Sequence, residues 1–184
     1  MSGDPREGSP GKSLHAFWAL RQGAQLDDWR RAVDLLIGLL VVVFQITIFR
    51  HLRVLGIEPD ITLVLIFLWM VRYDRTKMII LAFLMGIAQD MLLDWWGLNM
   101  FANTLTVMIL HSIVPKKEDS VLGVYLFSLY LALTVFTHQV IMLSLAEFSE
   151  VYSLGDAFFG FLIGTTVFST GMGILVYVLS GKRF

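Results

Sequence analysis

Cysteine is absent from all 184 residues, which removes disulfides, thiolate catalysis and Cys-ligated metals together. Charge is scarce as well. Only 16% of the residues are Asp, Glu, Lys or Arg, against roughly a quarter in an ordinary soluble domain. The formal net charge of −1 offers no electrostatic footprint for nucleic acid. Proline occurs four times and never inside an apolar run, so nothing breaks a long helix there. What is abundant is apolar: 57% of the chain is hydrophobic, 13% is aromatic and the mean hydropathy is +0.73. A water-soluble enzyme domain, a disordered protein and a nucleic-acid binder are excluded. An all-α polytopic membrane protein remains.

The composition is uneven. Residues 1–31 hold Pro5, Pro10 and a mixture of charges, with no long apolar run. No apolar stretch follows their first basic residues, so they do not read as a cleavable signal peptide. They read as a flexible cytoplasmic tail, in which Leu14–Leu20, with Phe17 and Trp18, could instead lie on the membrane surface. Residues 32–184 form the transmembrane domain, with six spans expected at about 33–49, 60–72, 78–96, 98–114, 121–146 and 157–179. A helix needs about 20 residues to cross a hydrocarbon layer of about 30 Å. The second stretch is too short for this unless Asp60 and Arg72 mark its ends, and a re-entrant segment is the alternative.

Lys and Arg set the orientation. With six spans and both termini in the cytoplasm, 12 of the 14 basic residues lie inside, and only Arg50 and Arg53 lie outside. A re-entrant second segment would move every later loop to the other side and lose this bias, so the charges favour a true span. Trp95, Trp96 and Tyr152 outside, with Tyr73 and Tyr177 inside, then occupy the positions expected of interfacial aromatics.

Ionisable and amide groups are costly in a bilayer unless they face protein or water. Pro59 and Asp60 open the second helix, where proline suits the first turn and a carboxylate meets the positive end of the helix dipole. On the third helix Gly86, Asp90 and Asp94 recur every four residues beside Gln89, so they share one face. Asn99, Asn103 and Thr106 stripe the fourth helix, and Thr134 and His138 lie four apart on the fifth. Two interpretations stand side by side. These groups hydrogen-bond between helices and hold the bundle together, or Asp60, Asp90, Asn99, Asn103 and His138 line an outward-opening cavity or docking surface. Gly160 and Gly164 have the small-xxx-small spacing of close helix packing, within the bundle or toward a partner.

Catalytic patterns are missing. There is no H-E-x-x-H, no G-x-S-x-G and no pair of histidines at ligand spacing on one helix. His111 and His138 fall at different depths. No catalytic residue, metal site or cofactor is expected, and the chain reads as a non-enzyme.

One region is more distinctive than its composition. Residues 55–64 read Leu-Gly-Ile-Glu-Pro-Asp-Ile-Thr-Leu-Val, and a short apolar helix and a small basic turn follow. Residues 83–92 then read Phe-Leu-Met-Gly-Ile-Ala-Gln-Asp-Met-Leu, with Gly97-Leu98 soon after. This pattern resembles the rod-shape-determining protein MreD family over roughly residues 44–110. Size, six spans and inside termini also agree. The turn 72–77 lacks the glycine that relatives often carry there, and the tail is longer than is usual.

The resemblance implies a non-enzymatic component of the bacterial cytoplasmic (inner) membrane that works in cell elongation. Its direct partner would be MreC, and through it MreB and the RodA–transpeptidase synthase that builds peptidoglycan, with the lipid bilayer around it. The implied fold resembles the six-helix substrate-binding subunits of energy-coupling-factor vitamin transporters. Pro59, Asp60, Gly86 and Asp90 are the matching motif positions. Asp60 and Asp90 are expected to converge near the outer leaflet and shape the face where the partner's membrane-proximal segment binds. Two other functions compete. A vitamin-transporter subunit would usually carry Ala-x-x-x-Ala on its first helix, which this chain lacks. An intramembrane enzyme acting on lipid would have acids and a histidine available but no recognised motif.

Overall fold

A computed structural model describes residues 32–48, 58–94, 96–115, 123–148 and 158–179. The tail 1–31 and the acidic loop around Glu150 and Asp156 lie outside the described residues, as do Trp95 and Tyr152. Six helices occur among the described residues: α1 (Ala32–Ile48), α2 (Ile61–Arg72), α3 (Arg75–Leu93), α4 (Leu98–Leu110), α5 (Val124–Phe148) and α6 (Phe158–Leu179). No strand occurs among them. The chain divides into two compact units, Met1–Ile37 and Gly38–Phe184. Of the first, only the helical residues Ala32–Ile37 are described. The packing below concerns the second.

Helix α2 is the interior of that unit. It packs against α3, α5 and α6, and nine of its 12 residues are buried. A helix that is apolar all round belongs in such a position. Phe67 meets Phe127 of α5 edge-on, with ring centroids 5.3 Å apart, and Phe127 stacks on Tyr177 of α6 at 4.3 Å. Tyr177 is thus a core residue at 1% exposure, not the interfacial aromatic that its place near a helix end suggests.

The ends of α2 are specified locally. Asp60 is its N-cap, and the carboxylate accepts the Leu63 N–H at 3.1 Å. Pro59 is buried one residue before the cap. It therefore lies before the first turn and not, as the sequence reading has it, within it. At 12 residues α2 is about 18 Å long, well short of a hydrocarbon layer of about 30 Å. The Asp60 N–H donates to Ser169 Oγ at 2.8 Å, and Ser169 lies at the middle of α6. One turn on in each helix, Val64 faces Gly173. Parallel α2 therefore accompanies only the second half of α6.

The remaining boundaries depart from the apolar runs where caps intervene. Helix α3 begins at Arg75, not 78, because Asp74 takes the extended N-cap conformation. It stops at Leu93, not 96, because Asp94 turns left-handed at φ 57°. Asp94 consequently leaves the helix and is exposed, while Gly86 and Asp90 remain buried. Gly97, at φ 84°, completes the turn into α4, a conformation that glycine adopts without steric cost. Helix α4 closes at Leu110, not 114, where His111 takes the C-cap and turns follow.

Among the described residues three helices are long and apolar enough to cross a membrane: α3, α5 over Val124–Leu145, and α6 over Leu162–Leu179. Only 33%, 39% and 28% of their most apolar windows is buried inside the protein. Ile163, Val167 and Val178 of α6 and Leu129 and Phe136 of α5 face outward. An apolar exterior on this scale needs an apolar solvent, and the chain is a membrane protein.

Candidate functional site

The polar residues separate into three groups on different helix junctions. The most elaborate is the α3–α4 corner. Asp90 Oδ1 accepts the Asn99 N–H and the Asn99 side-chain amide, both at 3.0 Å, and Oδ2 accepts the Met100 N–H at 2.9 Å. These N–H groups belong to the first turn of α4, which has no intrahelical acceptors for them. Asp90 of α3 therefore caps the neighbouring helix. It needs α4 at close range, and Gly86 permits that approach: a Cβ there would meet the Met100 backbone N at 2.6 Å and the Asn99 carbonyl carbon at 2.8 Å. Glycine and aspartate at this spacing form one device. Farther along the seam, Asn103 donates to Gln89 Oε1 at 2.8 Å. At the far end Arg75 donates to the Met108 carbonyl at 3.2 Å, and His111 Nε2 lies 3.0 Å from the Tyr73 carbonyl.

The second group surrounds the start of α2. Gln45 Oε1, on the part of α1 that follows Gly38, accepts both the Thr62 N–H and the Thr62 hydroxyl at 2.7 Å. Ser169 receives the Asp60 N–H from the other side. Asp60 and Asp90 thus cap different helices, α2 and α4.

The third group lies between α5 and α6. Phe127 opposite Tyr177 and Leu131 opposite Gly173 set an antiparallel register. The same register brings His138 to the level of Thr165 and Ser169. His138 is 2% exposed, and neither ring nitrogen has a hydrogen-bond partner; the Thr165 hydroxyl is likewise buried without one. Thr134 bonds to Tyr130 of its own helix at 2.8 Å.

Of the predicted site residues, Gly86, Asp90, Asn99 and Asn103 come together along the α3–α4 seam. Pro59 and Asp60 form the head of α2, and His138 belongs to the α5–α6 seam. Gly160 does not mark a close approach, since a Cβ there would meet nothing within 4 Å; Gly164 is half-buried. A close glycine of α6 is Gly173, which faces Leu131 and Val64. Sequence reasoning missed it, together with Gln45 and Ser169. The signal was available: Thr165, Ser169, Gly173 and Tyr177 recur every four residues and form one buried face of α6.

Among the described residues no three His, Asp or Glu side chains group closely enough to hold a metal ion. An open cavity of about 340 Å³ lies at the α3–α4 corner, beside Asp90, Asp94 and Trp96. No protein-family model, curated protein or solved structure matches this chain.

Proposed function

We propose that this chain is a non-enzymatic component of the bacterial cytoplasmic membrane that binds MreC within the cell-elongation complex, in the manner of the MreD family. MreB and the RodA–transpeptidase synthase are the wider partners. The observation that carries the reading is the behaviour of the two motif elements. Pro59-Asp60 and Gly86-x-x-x-Asp90 are both parts of helix caps, and they secure two junctions of one apolar helical unit, the head of α2 and the α3–α4 corner. Polar residues committed to such internal bonds suit a scaffold more than a reaction centre. Both termini are cytoplasmic in this reading, with all six helices in the membrane and α2 held inside the protein. The α3–α4 corner then faces outward, where a partner's membrane-proximal segment meets it.

Co-expression with MreC and purification in mild detergent tests the proposal. The chain should recover MreC in a defined complex, and an unrelated single-span protein should not follow it. Asp90→Asn, in material that remains monodisperse and helical, should recover severalfold less. Failure of the unmodified chain to retain MreC overturns the assignment; full retention by Asp90→Asn removes the corner from the contact.

A second reading draws on the α5–α6 seam. Buried polar groups without partners, such as His138 and Thr165, are what the interior of a vitamin-binding transporter subunit would present. Under the elongation reading, added vitamins leave the thermal midpoint of the purified chain unchanged. A rise that saturates with concentration would instead favour the transporter subunit.

A further inference from the structure

The cavity at the α3–α4 corner is acidic. Its walls include Asp90, Asp94, Trp96, Met91 and Met100, and no basic residue among the described ones. Asp90 is 7% exposed, and it makes no ion pair among the described residues. Every hydrogen bond that it accepts comes from a neutral donor. An ionised carboxylate offers about four lone-pair positions. The two bonds to Oδ1 and one to Oδ2 leave a position open on Oδ2. A charged donor that enters the cavity can fill that position with a charge-assisted hydrogen bond.

The rim defines what kind of positive group fits. Asp94 stands one turn beyond Asp90, outside the helix and exposed, so it adds a second carboxylate at the mouth. Trp96 is 97% exposed and offers an indole face, the ring that binds cations best. Met91 in the cavity wall is 80% exposed and, with Ile87 one turn earlier, carries apolar surface from the cavity along the flank of α3. A small hydrogen-bond-donating cation would occupy the cavity, while an apolar body attached to it would lie along that flank.

We propose that this cavity binds the primary ammonium of an aminophospholipid headgroup, of the phosphatidylethanolamine class, with its acyl chains against α3. A quaternary ammonium cannot donate to Asp90 Oδ2, and an anionic headgroup is repelled by both acids. The site therefore selects ethanolamine over choline and glycerol headgroups. This inference does not depend on the elongation reading.

The test uses the full chain, equilibrated in detergent with equal amounts of phosphatidylethanolamine, phosphatidylcholine and phosphatidylglycerol, with retained lipid read by native mass spectrometry. Phosphatidylethanolamine should dominate. Asp94→Asn should reduce its retention about fivefold, the upper range for a partly exposed ion pair. Asparagine suits that position because it enters the left-handed region readily, so the turn survives the substitution. Asp74→Asn, at the other end of α3, should change nothing. Equal retention of the three lipids, or an ethanolamine preference unchanged in Asp94→Asn, overturns the site. Displacement of the lipid by free ethanolamine or by a basic peptide at comparable concentration overturns its assignment to a lipid.

Discussion

Gly86→Ala is expected to lower the stability of the purified chain by about 3 kcal/mol, the upper part of the range for overpacking a well-filled interior. The added carbon would collide with the Met100 Cα and approach the Met100 N to 2.6 Å. Both are backbone atoms of α4, so no rotamer change relieves the contact. Relief requires moving α4 away from α3, which lengthens all three bonds to Asp90. Gly173→Ala provides the comparison. Its Cβ would also meet a neighbour too closely, but that neighbour is Leu131 Cδ2, the far end of a flexible side chain. Its cost should stay within about 1 kcal/mol. Thermal or denaturant unfolding in micelles, followed by circular dichroism, reads both. Equal losses at the two glycines would show that the α3–α4 approach is not the tight one.

Asp90→Ala is expected to have an effect of similar size, about 3 kcal/mol, because it removes the charged acceptor of three hydrogen bonds in a buried setting. The Asn99 N–H, the Asn99 amide and the Met100 N–H are all left without the group that satisfied them. Asp90→Asn should cost less, about 1 to 2 kcal/mol. Its carbonyl can still accept both donors from Asn99, but its amide nitrogen then faces the Met100 N–H, donor against donor. Combining Gly86→Ala with Asp90→Ala should cost clearly less than the two separate losses together. Once α4 has been pushed away, there is little left for Asp90 to hold. Strict additivity in this cycle would mean that glycine and aspartate act independently. The same unfolding measurement decides it.

These substitutions show what could be read from residue order and what could not. The six helices were legible because a helix that faces either protein or lipid must be apolar over most of its surface, and long runs such as 121–146 leave few alternatives. Their limits were less legible. Leu93 ends α3 because Asp94 changes the sign of φ, while hydropathy continues through Trp95 and Trp96. The pairing of Gly86 with Asp90 was visible as a four-residue repeat on one face. Periodicity cannot say which neighbour that face meets, and here the aspartate serves the following helix. Asp94 was grouped with them by the same arithmetic and is excluded by the backbone turn. In α6 the Gly160–Gly164 spacing drew attention because both residues are glycine. The face that is buried combines Thr165, Ser169, Gly173 and Tyr177: Ser169 meets the head of α2, Gly173 faces α2 and α5, and Tyr177 stacks on α5. Only the fold reveals those neighbours.

The placement of α2 bears on how the protein is assembled. Ribosomal synthesis delivers α2 before α5 and α6, the helices that finally enclose it. A helix of 12 residues is too short to be stable by itself, and its length is too small for independent residence in a bilayer. In the interval it has only earlier and adjacent segments to hold it: Gln45 gripping Thr62 from α1, and α3 returning alongside it. Asp60 gains Ser169, and Phe67 gains Phe127, only when the second half of the chain arrives. The nascent chain must therefore shelter an unfinished interior for much of its synthesis, and completion of α6 closes it.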